Sequence, residues 1–199
     1  MRRRFLRQLL PTTAFALAAL LGSAQSNVAY AALADDAAAT PAACIAGEGP
    51  ESRSRNNAVD SGEIRYTDGT VYDDARNHGM ATWNAVGPIK YRPDTVTTSN
   101  DLKIIDANLG TSADAPLGNY TWDGGWAATD TLRMNRQKLN AWPYTQRDWR
   151  RYVFLHEGGH SLGLCHKSDR VASLMWRRSP TQITWVPDVD KANYKRLWG

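Results

Sequence analysis

Cysteine, histidine and phenylalanine are scarce: the 199 residues hold two, four and three of them. Two cysteines, Cys44 and Cys165, exclude a scaffold stapled together by disulfides. Long apolar runs are missing too. The longest, Ala14 to Leu21, is well short of the roughly 20 residues that span a bilayer. Nor is there a charge excess in the body of the chain. The 24 Lys+Arg exceed the 20 Asp+Glu only because Arg2, Arg3, Arg4 and Arg7 lie in the first 31 residues, which hold no acid. The remainder balances, which removes the main argument for a nucleic-acid or anionic-membrane partner. Charge is still uneven, acidic from Asp35 to Asp74 and basic after Thr145, as solvated faces usually are.

What is present begins with a cationic start, a short apolar stretch and Ala29-Tyr30-Ala31, the pattern of a secretory signal peptide over residues 1–31, with Ala24 an alternative cut. Arg2-Arg3-Arg4-Phe5-Leu6-Arg7 also fits twin-arginine export, and the sequence does not separate the two routes. The protein is therefore expected to be secreted, by a route of bacterial character. Residues 32–57, rich in Ala, Pro, Gly, Ser and charge, read as a flexible leader or short pro-segment. Residues 58–199 are enough for one domain with a real core.

Within that domain Ile64 to Tyr66, Ile89 to Tyr91, Leu102 to Ile105 and Thr131 to Met134 read as strands. Thr70 with Asp73 predicts a helix start, and Tyr72, Ala75, Gly79, Trp83 and Val86 then share one helical face. Thr145 with Asp148 predicts a second helix running through Trp149, Val153, His156 and His160. The order, strand, helix, several strands, helix, is that of an α/β (α+β) fold.

Residues 156–166 read His-Glu-Gly-Gly-His-Ser-Leu-Gly-Leu-Cys-His. On a helix His156 and His160 leave the same face one turn apart, so two imidazoles can share one metal. Glu157 is rotated off that face by about 100°, where a carboxylate can take a proton from a water without ligating the ion. Gly163 permits a sharp turn, after which His166 can return as third ligand. Three histidines and one open position describe a catalytic zinc site. Chance assembles three His, one Glu and one Gly at these spacings on the order of once in a hundred thousand chains of this size.

The stretch resembles the HExxHxxGxxH pattern of the metzincin zinc peptidases, which continues downstream to a tight turn containing Met, here Ser173-Leu174-Met175-Trp176. Within that family the chain is most similar to the small secreted snapalysin and matrixin-like enzymes. The resemblance implies a zincin fold: a small twisted, mostly parallel sheet with one antiparallel edge strand, two main helices, and a C-terminal subdomain from Gly163 with the Met-turn and a final helix near Trp185 to Trp198. It implies a secreted zinc metalloendopeptidase in which His156, His160 and His166 hold the metal, Glu157 is catalytic, and Met175 is an apolar floor. Trp176 to Gln182 would wall the pocket for the side chain after the cut bond: an inward Arg177 or Arg178 would favour acidic or polar side chains there, whereas with both in solvent, the preferred reading, Trp176 would leave an aromatic or aliphatic preference. Snapalysins use Asp as third ligand, which makes Asp169 the rival to His166. The substrate is expected to be a protein or peptide and the chain a monomer, with no nucleic-acid partner and no membrane partner once the signal is removed. Two alternatives stay open, a non-catalytic secreted binding module and a zinc hydrolase of a non-peptide amide.

Four other features complete the reading. Cys44 and Cys165 form a disulfide, or Cys44 acts as a latency switch on zinc, or both are free thiols, with the disulfide preferred. Calcium is left open, with Asp106, Asp114, Asp123 and Asp130 as oxygen donors but no EF-hand spacing. His78, off the apolar helical face, is expected at the surface. Asn119-Tyr120-Thr121 matches a glycosylation acceptor but is discounted for a chain with a bacterial export signal.

Overall fold

The computed structural model describes residues 39–124, 128–178 and 181–199. The expected signal peptide at 1–31 and the start of the leader lie outside the described residues. Five strands form one mixed sheet: β1 (Glu63–Gly69), β2 (Lys90–Pro93), β3 (Leu102–Ala107), β4 (Gly118–Thr121) and β5 (Asp130–Asn135), in the order β2-β1-β3-β5-β4. The first four neighbours run parallel, and β4 closes one edge antiparallel to β5. The architecture is therefore α/β, as the order of elements in the sequence predicts, with a mixed sheet and one antiparallel edge, as the resemblance implies. Alternating residues explain the strands: Ile64, Leu102, Ile104, Leu132 and Met134 are fully buried, with Ile104 opposite Leu132 in register.

Four helices accompany the sheet: α1 (Asp73–Val86), α2 (Arg136–Leu139), α3 (Arg147–Ser161) and α4 (Asp188–Trp198). α1 packs on α3, and α3 lies against β4 and β5. Their approach is close because Gly79 faces Phe154, where a Cβ would stand 2.4 Å from the ring. Trp83, buried beside Gly158, donates its indole N–H to the Leu155 carbonyl at 3.0 Å and so locks α1 to α3.

Neither predicted capping residue caps its helix. The Thr70 hydroxyl donates to Asp106 at 2.6 Å instead, and α1 starts at Asp73 behind Tyr72. Likewise α3 starts at Arg147 behind Gln146. Acids in the first turns, Asp73, Asp74 and Asp148, meet the positive helix ends electrostatically. Nor is His78 simply a surface residue: it is half-buried, and its Nε2 lies 2.7 Å from the Thr184 carbonyl.

Residues 39–57 contain no helix or strand, as their composition suggests, yet they are held closely to the domain. Ala58 N–H donates to Ser161 O at 2.8 Å and Ile45 N–H to His166 O at 3.0 Å. The Glu51 carboxylate is buried against Lys167 Nζ, the Asn193 amide and Arg196. This strap takes its order from partners on the folded domain, which local composition does not reveal.

Candidate metal centre

α3 carries His156, Glu157 and His160 and is capped at Leu162, after which Gly163 takes φ +83°. Only glycine takes that conformation without strain, and glycine is needed twice over, because a Cβ there would stand 2.4 Å from the Ser52 carbonyl of the strap. The turn returns the chain so that His166 faces the helix. Its Nε2 lies 3.3 Å from Nε2 of His156 and 3.1 Å from Nε2 of His160.

The opposite ring nitrogens are all engaged. Nδ1 of His156 lies 3.0 Å from the Leu174 carbonyl, Nδ1 of His160 2.8 Å from the Leu164 carbonyl, and Nδ1 of His166 2.9 Å from Glu48 Oε2. Carbonyls only accept, so Nδ1 of His156 and His160 donates, and in the neutral rings Nε2 keeps a bare lone pair. Burial favours the neutral rings, pushing His156 down to about 4 and His160 well below its ordinary value. Nitrogens held 2.0–2.1 Å from a tetrahedral ion stand about 3.3–3.4 Å apart, so this spacing and an all-imidazole set fit zinc. Among the described residues it is the one cluster of three such donor groups.

Glu157 is buried under β4. A Cβ on Gly118 would come within 2.9 Å of its Oε1, so only a glycine lets the edge strand lie over the carboxylate, which also takes a backbone hydrogen bond from Tyr120. Burial raises its pKa to about 8 against that hydrogen bond. Glu157 and the three histidines line one cleft of about 670 Å³.

No protein-family model matches this chain, and no curated protein matches it either.

Met175 is fully buried against α3, where Gly159 makes room: a Cβ there would stand 2.4 Å from the Met sulfur. Its turn is fixed by a residue that the motif does not contain. Asp190, buried at the start of α4, accepts from the Ser173 hydroxyl and from Leu174 N–H, both at 2.6 Å. The next carbonyl in that turn, that of Leu174, holds His156. An acid in the first turn of an amphipathic helix usually signals only helix polarity, which hides this role.

Other candidates fall elsewhere. Asp169 is exposed beside Ser168, outside the histidine cluster. Trp176 is half-buried with its indole N–H on the Val171 carbonyl and is not part of the cleft lining. Arg177 and Arg178 do line the cleft, with side chains 68% and 78% exposed and paired with Glu48 and Asp114. Ser179 and Pro180, within the expected wall, lie outside the described residues. Apolar lining comes instead from Trp149, Tyr152, Val153 and Leu117. Of the four aspartates considered for calcium, Asp106 is engaged by Thr70 and Asp114 by Arg178. Asp130 receives Tyr120 OH and the Asp123 N–H. Cys44 and Cys165 are joined in a disulfide, with sulfurs 2.08 Å apart.

Proposed function

We propose that the chain is a secreted zinc-dependent metalloendopeptidase of the metzincin kind. The observation that carries this reading is the convergence of Nε2 of His156, His160 and His166 at 3.1 and 3.3 Å, in one cleft with the buried Glu157. His156, His160 and His166 would hold the zinc, which would supply a Lewis acid able to bring the pKa of water towards about 7 and to polarise a carbonyl. Glu157 takes the proton of the attacking water on a carboxylate oxygen and returns it to the leaving amine. A nearby dication favours the ionised carboxylate, offsetting the burial that lifts Glu157 to about 8. β4 and the Tyr120 hydrogen bond hold that carboxylate in place.

A non-catalytic binding module is less well supported. A structural zinc has four protein ligands, whereas the described residues bring three together, and it has no use for a buried acid beside them. Hydrolysis of a non-peptide amide would use the same groups, and casein cleavage separates it from peptidase activity. The disulfide fits an oxidising compartment outside the cell. With Arg177 and Arg178 in solvent and Trp176 turned away, Trp149, Tyr152 and Val153 line the pocket, and an aromatic or aliphatic side chain is expected there. A peptide-library profile dominated by Asp or Glu would overturn that preference.

A further inference from the structure

The three histidines are not held alike. His156 and His160 each meet a backbone carbonyl through Nδ1, whereas Nδ1 of His166 meets a carboxylate, Oε2 of Glu48, at 2.9 Å. Glu48 comes from the strap, 118 residues earlier in the chain. The backbone at His166 and Lys167 is tied to the strap and to the turn at Met175. His166 O accepts from Ile45 N–H and Lys167 N–H donates to Met175 O. His166 is also the one proposed ligand off the helix, and among the described residues Glu48 is the partner its ring meets on the Nδ1 side.

We propose that Glu48 is a positioning residue for the metal centre, fixing the ring orientation and tautomer of His166 and raising its basicity as a ligand. The strap that carries it is thereby a working part of the site. A thiolate latency switch would place Cys44 of the strap on the side where the three Nε2 atoms meet. Glu48 instead lies at Nδ1, across the imidazole ring from Nε2. Three independent attachments keep it there. Cys44 is bonded to Cys165, the neighbour of His166. Glu51 pairs with Lys167 on the other side of His166, with both side chains almost fully buried. Ala42 exchanges hydrogen bonds with Asn193 of α4, at 2.7 Å each way. Glu48 itself is only partly exposed and is steadied by Arg177, 3.5 Å from its second oxygen.

This inference rests on the zinc reading, and its test separates the two. Zinc affinity of the full chain is measured by competition with a chromophoric chelator, for the wild type and for Glu48→Ala, Glu48→Gln and Glu51→Gln, with the thermal midpoint of each metal-free protein. Glu48→Ala is expected to bind zinc 10- to 100-fold more weakly, the usual effect of losing the partner of a ligating histidine. Glu48→Gln, whose amide oxygen can still accept from Nδ1–H but carries no charge, should recover part of the loss. Both should leave the metal-free midpoint close to that of the wild type, whereas Glu51→Gln should lower it. Wild-type zinc affinity in Glu48→Ala overturns the proposal and leaves the zinc reading standing. A fall in affinity matched by an equal fall in metal-free stability, with no recovery in Glu48→Gln, overturns it in favour of a merely structural strap. A wild-type chain that takes up no zinc overturns both.

Discussion

At the scale of single residues, the proposed chemistry rests on His156, Glu157, His160 and His166. Burial sets their protonation. Glu157 has its folded pKa raised to about 8, so in the metal-free chain its stabilising share is complete below about 4.5 and is lost as pH rises through about 8. Metal-free Glu157→Gln should therefore match the wild type near pH 4 and exceed it at pH 9, by up to about 5 kcal/mol. Saturating zinc should shrink that gap. Urea unfolding at the two pH values, with chelator and with zinc, measures it, and equal stability at pH 9 would contradict the burial argument. His166→Ala should lose metal, since two imidazoles hold zinc far less well than three. Were it to keep stoichiometric zinc while Asp169→Ala lost it, the third ligand would be Asp169. These residues were legible in the sequence because they fall within one helix and the turn after it. Glu48 and Asp190 were not, because the fold brings them in from a composition-poor strap and from the outer turn of another helix.

At the scale of elements, the site is a stack in which small residues allow close approach. β4 lies over Glu157 through Gly118, and Met175 lies under α3 through Gly159. Gly159→Ala is expected to cost about 1–3 kcal/mol through overpacking against the buried Met175. Asp190→Ala should leave the Ser173 hydroxyl and Leu174 N–H without their acceptor, costing about 2–4 kcal/mol. It should also weaken zinc binding, because the same turn holds His156 through the Leu174 carbonyl. Thermal melts with and without chelator check both, and an Asp190→Ala protein with unchanged zinc affinity would uncouple the turn from the metal. β1, β2, β3 and β5 could be read from alternating apolar residues. β4 could not: Gly-Asn-Tyr-Thr shows no apolar alternation, and its glycine is chosen for Glu157 rather than for strand propensity. α2, only four residues long, is too short for any periodicity to show. The helix starts misled because Thr70 is used to tie α1 to Asp106 at the end of β3.

At the scale of the whole molecule, the strap and the α3 to α4 region form one unit around His166, closed by Cys44–Cys165 across a sequence separation of 121. A loop of that size restricts the unfolded chain enough to stabilise the fold by about 4–5 kcal/mol in the chain-entropy model. Reduction should therefore lower the thermal midpoint and zinc affinity together, since Cys165 adjoins His166, the proposed third ligand. Two alkylated thiols found by intact mass without reductant would remove the bridge and this coupling with it. The central claim is that buried Glu157 acts as the proton carrier beside a zinc held by three histidines. It is tested most directly by zinc content and casein cleavage of the purified wild type and of Glu157→Ala. The account predicts one zinc per chain in both proteins and at least about a 100-fold lower turnover in the variant. Near-normal cleavage by a zinc-replete Glu157→Ala protein, or no cleavage by a zinc-replete wild type, would contradict it.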